Sequence, residues 1–217
     1  MRAVLFDLDG VLVDSYAAHM RSWRQLAAEE ELPFSERDFA RSFGRTSRES
    51  IATYWPGRAS ETARLDARKE ALFRDDIGER FPAMDGAREL VEALRAADFA
   101  LAVASSAPPE NVELALARLG FAACFGAVVT GADVQRGKPD PQVFLLAAER
   151  LAAPPAGCVV VEDAPVGVAA AHAGAMKVVA LLSTGRRRED FDDVKPEQLV
   201  SSLRELSLAD FQRLLDG

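Results

Sequence analysis

The hydrophobic pattern opens with Val4-Leu5-Phe6, an unbroken apolar run that stops at Asp7-Leu8-Asp9-Gly10. A run this short, without polar alternation and closed by a glycine, predicts a strand covered on both faces, as in a parallel sheet. Asp7 and Asp9 then stand at the strand's carboxyl end, the edge at which such sheets bind ligands. Over 15–80 the pattern changes. Tyr16, Met20, Trp23 and Ala27 recur at spacings of three and four, which predicts an amphipathic helix closed by Glu29-Glu30-Glu31 and Pro33. Ser35 with Asp38, and Thr46 with Glu49, predict two further helix starts with reciprocal side-chain caps. Pro56-Gly57 separates these from a long polar helix over 60–76. No strand-like run interrupts the segment, which reads as a small helical insertion.

From Asp85 onward helix and strand alternate. Helices are predicted over 87–97, 110–118, 141–152 and 166–173, strands over 99–104, 128–130, 158–161 and 178–182, and the tail from Ser201 is amphipathic. The alternation predicts an α/β fold: a doubly wound parallel sheet with right-handed crossovers and a small inserted α-helical cap domain. The catalytic core is expected over 1–14 and 81–217 and the cap over 15–80. Ser105 and Ser106 follow one strand, Lys138 lies in a loop after another, and Glu162-Asp163 end a third. Parallel strands deliver all of these to the edge that carries Asp7 and Asp9.

Composition narrows the function classes. With 217 residues, 49% of them hydrophobic, the chain can bury the core of one large domain or of a domain with an insertion. The net charge is −8, and 15–80 is balanced, with 12 Lys/Arg against 12 Asp/Glu, so the acidic excess lies elsewhere. An acidic chain without a basic, aromatic-interleaved patch is a poor nucleic-acid binder. The triplet Arg186-Arg187-Arg188 sits beside Glu189, Asp190, Asp192 and Asp193 and reads as a solvated loop face. No apolar stretch approaches the roughly 20 residues needed to span a bilayer, and the chain starts on a core strand, so a cytoplasmic protein is expected. Cys124 and Cys158 lack close pairing and read as reduced packing residues. His172, in an alanine-rich helix, reads as structural, and Asn111 as a helix-start polar group.

Two carboxylates two residues apart repel unless a cation intervenes, and Mg²⁺ is the simplest remedy, being commonly held by one or two carboxylates plus substrate phosphate. Several acids, one cation, a hydroxyl donor and a lysine suit phosphoryl transfer, which is mainly positioning and charge stabilisation. Asp7 would attack as a nucleophile. Asp9 would exchange protons with leaving group and water, which calls for a raised proton affinity. Lys138 would offset excess negative charge, and Ser105 would donate to a phosphoryl oxygen.

These residues resemble the four motifs of the haloacid dehalogenase superfamily, in its helical-cap branch: Asp7-Leu8-Asp9-Gly10, Ser105, Lys138 in Gly137-Lys138-Pro139-Asp140-Pro141, and Glu162-Asp163 followed by Ala164-Pro165-Val166-Gly167. The resemblance spans essentially the whole chain. It implies Asp7 as nucleophile, Asp9 as general acid and base with its backbone carbonyl on Mg²⁺, Asp163 as second carboxylate ligand, and Glu162 as inner or outer support. Ser105 and Lys138 would grip the phosphoryl group. His19, Trp23, Arg48 and Lys69 resemble positions of beta-phosphoglucomutases and related sugar-phosphate phosphatases, and with Ser106 they are the candidate substrate contacts; His19 and Trp23, four apart, would equally suit core packing. Two departures stand out: 44–50 carries one residue more than the mutase loop, and Ala107-Pro108-Pro109 replaces a polar loop. Members that dehalogenate typically lack an acid at the position of Asp9, so phosphoester chemistry is implied. The expected activity is a Mg²⁺-dependent phosphatase acting on a small phosphorylated metabolite, a sugar phosphate, through an aspartyl-phosphate. The alternative is a beta-phosphoglucomutase interconverting beta-glucose 1-phosphate and glucose 6-phosphate. A phosphoaspartate receiver module is opposed by the insertion and by Asp9. A monomer or weak homodimer is expected.

Overall fold

A computed structural model describes residues 1–78 and 81–216. Strand β1 (Ala3–Phe6) leads into four helices, α1 (Tyr16–Glu29), α2 (Glu36–Ser42), α3 (Ser47–Tyr54) and α4 (Thr62–Ile77). The remainder alternates: α5 (Ala87–Ala96), β2 (Ala100–Ala104), α6 (Pro109–Leu119), β3 (Ala127–Val129), α7 (Gln142–Arg150), β4 (Cys158–Glu162), α8 (Pro165–Ala173), β5 (Lys177–Leu181), β6 (Gln198–Val200) and α9 (Leu208–Asp216).

The six strands pair in parallel in the order β3-β2-β1-β4-β5-β6. Successive side chains on each strand face opposite layers. Val4, Phe6, Leu101, Val103, Val159 and Val161 pack with α5, α6 and α9, while Ala3, Leu5, Ala102, Ala104 and Val160 pack with α7 and α8. Both faces are covered, which is why the strands carry no polar alternation. Strand order reverses at β1, between β2 and β4. That switch point opens a crevice beyond the carboxyl ends of β1 and β4. β6 was not anticipated: three residues, Gln198-Leu199-Val200, are too few for a period to register, and only Val200 is fully buried.

The helical segment has its own cluster, with Trp23, Phe39, Ile51, Trp55, Leu65 and Leu72 among its members, while Ala18, Phe73 and Ile77 at its base join the sheet's cluster. The Thr46 cap is reciprocal with Glu49, whereas Ser35 only accepts from the Asp38 amide. A 3-10 turn, Pro56–Glu61, precedes α4, so that helix starts two residues later than the sequence predicts. The outgoing and returning chain are tied side by side by Asp14 N donating to Pro82 O and Met84 N to Leu12 O. Among the described residues no helix is long and apolar enough to cross a membrane.

Candidate active site

Register sets the first acid. Asp7 continues β1, donates its amide to Val161 O at 3.0 Å, and turns its carboxylate onto Lys138, whose Nζ donates to Asp7 Oδ1 at 2.7 Å and to Glu162 Oε1 at 2.6 Å. Lys138 is fully buried, with Nζ 4.9 Å from the Phe144 ring centroid. Glu162 ends β4, and its Oε2 accepts from Ala164 N at 2.6 Å. A side chain at 167 would overlap the Glu162 carboxylate, so the close approach of α8 requires Gly167. Asp163 Oδ2 accepts from Thr184 Oγ1 at 2.9 Å, and Asp163 Oδ1 is buried without a partner. Gly10, at φ +83, lets the chain pass over that carboxylate, which a Cβ would strike.

Carboxylate oxygens of Asp7, Glu162 and Asp163 lie within 4.8 Å of one another, all three residues buried. One lysine cannot neutralise three acids. Burial pushes the Asp7 carboxyl well above its ordinary range despite Lys138. Burial, followed by the Glu162 charge, pushes Asp163 up to about 7. An all-oxygen donor set with one orphaned oxygen fits a hard divalent cation such as Mg²⁺, held by Asp7 and Asp163 with Glu162 in support.

The metal-free protein should therefore be pH-sensitive. Asp163 in the native state keeps its proton up to about pH 7, whereas the unfolded chain releases it near the ordinary value of 3.8. Stability of the metal-free fold is expected to fall as pH rises through that window, because the native state binds more protons there. Magnesium should accordingly raise the melting temperature more at pH 8 than at pH 5, and Asp163→Asn should flatten the difference. Equal magnesium shifts at both pH values would contradict the assignment.

Asp9 is bonded to the helical segment instead. Its Oδ1 accepts from Ser15 Oγ at 2.6 Å and lies 3.2 Å from His19 Nε2. The expected raised proton affinity is not found: burial pushes this carboxyl up, but His19, Ser15 and Lys69 outweigh it and hold it below its ordinary value. Its side chain lies outside the three-acid cluster. His19 stacks on Phe73 at 3.8 Å, and its Nδ1 lies 2.7 Å from Lys69 Nζ. An ammonium only donates, so this network assigns Nδ1 as acceptor and Nε2–H as the donor to Asp9.

Asp7, Asp9, His19, Trp23, Lys69, Ser105 and Ser106 all border one inner pocket of about 50 Å³, space for only a few water-sized groups. Ser105 Oγ accepts from Ala107 N at 3.0 Å, and Ser106 Oγ donates across to Gly44 O at 3.2 Å. Trp23 contributes ring surface from within the helical cluster, 5.8 Å from Trp55. Arg48 is not in this pocket. Its side chain is 72% exposed, donates Nε to Asp66 Oδ2 at 2.8 Å, and borders an adjoining outer cleft of about 620 Å³. Thr46 as N-cap makes Arg48 the second helical residue of α3, and at 3.6 residues per turn that rotates it away. Arg45, Ser47 and Ser50 face the pocket instead.

One sequence reading needs correction and another is extended. Asn111 does lie in the first turn of α6, and it is buried and bonded to Glu70 and Arg74; the solvated reading of the arginine triplet fails at its first member. Arg186 reaches across to the helical segment, donating Nη2 to Phe43 O at 2.9 Å, while Arg187 and Arg188 are exposed. Ser15, Ser47 and Glu70 were missed, because isolated serines and acids on a polar helix carry no distinguishing spacing. His172 pairs with Glu197 at 3.2 Å, away from the site, and both cysteines are free.

Residues 1–174 match the family model of the haloacid dehalogenase-like hydrolases. The chain belongs to this family. It is 32% identical over 216 residues to the chloroplastic 5-amino-6-(5-phospho-D-ribitylamino)uracil phosphatase of Arabidopsis thaliana, covering 98% of this chain and 57% of that longer protein. It is 31% identical over 219 residues to the phosphorylated carbohydrates phosphatase of Thermotoga maritima, covering 95% of this chain and 100% of that one. Identity is 32% over 190 residues to the beta-phosphoglucomutase of Bacillus subtilis, covering 83% of each. The fold matches the crystal structure of beta-phosphoglucomutase from Clostridium difficile with a TM-score of 0.87 at 22% identity, covering 100% of this chain and 97% of that one. The protein is an enzyme of the haloacid dehalogenase-like hydrolases.

Proposed function

We propose that this hydrolase is a Mg²⁺-dependent phosphatase of a small phosphorylated metabolite, a sugar phosphate, working through an aspartyl-phosphate on Asp7. The observation that carries the reading is the Asp7 carboxylate, clamped by buried Lys138 in a three-acid cluster at the sheet's switch point, with Asp9 two residues on and facing the pocket. A bound Mg²⁺ would keep the clustered carboxylates ionised and neutralise charge on the phosphoryl oxygens. Lys138 and Ser105 hold the phosphoryl group while an Asp7 oxygen bonds to phosphorus and the ester P–O bond breaks. Asp9 donates its proton to the departing oxygen, then takes one from the water that cleaves the acyl phosphate. The carboxylate held low by His19 acquires that proton when the substrate's negative charge enters, since a like charge nearby raises proton affinity. A contribution of Asp9 to the cation site would run through its main-chain carbonyl. The helices of 15–80 act as the cap that closes the pocket.

The protein acts as a monomer or weak homodimer. Two free thiols fit a reducing, cytoplasmic setting.

Similarity to the Bacillus subtilis enzyme keeps a second reading, beta-phosphoglucomutase, in which a sugar hydroxyl instead of water takes the phosphoryl group. Incubation with a panel of phosphorylated metabolites, and with beta-glucose 1-phosphate in the presence and absence of glucose 1,6-bisphosphate, separates the two. Inorganic phosphate release supports the phosphatase; glucose 6-phosphate as the main product means mutase. Turnover of neither kind across the panel would overturn both.

A further inference from the structure

One turn of α4 carries two pairs of side chains four residues apart. Lys69 and Phe73 take the His19 ring, by a 2.7 Å hydrogen bond and by stacking at 3.8 Å. Glu70 and Arg74, the neighbouring stripe, take Asn111 on α6 of the sheet layer. Asn111 Nδ2 donates to Glu70 Oε2 at 2.6 Å, and Asn111 Oδ1 accepts from Arg74 Nη1 at 2.8 Å. Residues i and i+4 share a helix face, so the two pairs form adjacent jaws of one rigid unit. The Asn111 amide is used at both ends and in one orientation only: flipped, it would set N–H against guanidinium and C=O against carboxylate. Asn111 is 3% exposed and Glu70 6%. Glu70 Oε1 also accepts from Ser47 and, at 3.0 Å, from Lys69. Neither end of this contact is a mobile surface pair.

We infer that Asn111 is a positioning residue, a latch that registers α4 on α6 so that Lys69 and His19 are held in place over Asp9. The role rests on the phosphatase reading for its kinetic consequence, though not for its geometry. Asn111 does not touch the reacting atoms. It sits in the helix that follows the Ser105-Ser106 loop, so the groups proposed to hold the phosphoryl and those contacting Asp9 share one mechanical reference.

The test uses the full chain with p-nitrophenyl phosphate in saturating magnesium. Asn111→Asp sets a second carboxylate against Glu70 and should lower kcat/KM by about tenfold, the scale of one unsatisfied buried contact. The double variant Glu70→Gln/Asn111→Asp re-creates a donor–acceptor match and should recover to within about threefold of wild type. In a His19→Ala background Asn111→Asp should cost less than about twofold more, because residues acting through one another are non-additive. Asn111→Ala, which adds no charge, should show the same coupling even if Asn111→Asp folds poorly. Full additivity with His19→Ala, or failure of Glu70→Gln to rescue, would overturn the latch. Hydrogen exchange of α4 amides should accelerate in Asn111→Asp whether or not p-nitrophenyl phosphate is turned over; unchanged exchange also overturns it, whereas an inactive wild type with faster exchange in the variant would fault only the phosphatase reading.

Discussion

Asp7→Asn is expected to abolish turnover, by a factor on the order of 10⁴ to 10⁶, the scale on which loss of an enzyme's attacking group falls. A carboxamide oxygen carries no negative charge and forms no acyl phosphate, so the covalent step loses its acceptor. The fold should survive. Asparagine retains an oxygen at the place where Lys138 Nζ donates at 2.7 Å, and it removes one of three mutually repelling buried acids. The metal-free variant should melt at or above the wild-type temperature. Quantifying released phosphate, and trapping the acid-stable phosphoprotein in a quenched single turnover, checks both parts. Phosphate release within tenfold of wild type would remove Asp7 from the nucleophile's role.

Lys138→Met is expected to damage stability and catalysis together. The substitution keeps most of the side-chain volume against Phe144 but leaves Asp7 and Glu162 without their shared cation. Removing one partner of a buried ion pair costs about 3–5 kcal/mol, which for a chain of this size lowers the melting temperature by roughly 6–20 °C. The sign with pH follows from Asp7, whose carboxyl burial holds well above its ordinary range. As pH falls Asp7 takes up its proton, one of the two unpaired charges disappears, and the penalty of Lys138→Met should shrink; it should grow as pH rises. Adding Glu162→Gln should recover part of the stability but not the activity, since the phosphoryl group still lacks its ammonium partner. Calorimetry across pH with parallel rate measurements decides this, and a melting temperature unaffected by Lys138→Met at every pH would contradict the geometry.

The main chain of this protein was legible where periodicity is long or absolute. Uniform apolar runs at Val4-Leu5-Phe6 and 158–161 announced doubly covered strands, and the acids that end them marked the working edge. Helices with a 3.6-residue stripe were placed to within a residue or two. β6 escaped because three residues show no period, and α4 began late because Pro56–Glu61 forms a 3-10 turn. Within the site, Asp7, Asp9, Ser105, Lys138, Glu162 and Asp163 were readable because each follows a strand or sits in a short loop beyond one. Arg48, the second helical residue of α3, is exposed and lies outside the inner pocket, which Arg45, Ser47 and Ser50 border instead.

By itself the order of residues determined which chemical groups meet at the sheet's edge, because parallel strands have only one carboxyl end and local patterning fixes where each strand stops. Only the tertiary structure decided what those groups do to one another. The Asp9 carboxyl is held low because His19 and Ser15 arrive from the helical segment, and Asn111 is gripped by Glu70 and Arg74 from a helix 37 to 41 positions away. Such effects depend on distances of a few ångströms between elements remote in sequence, and Coulomb and hydrogen-bond energies vary steeply over that range while local periodicity does not register it.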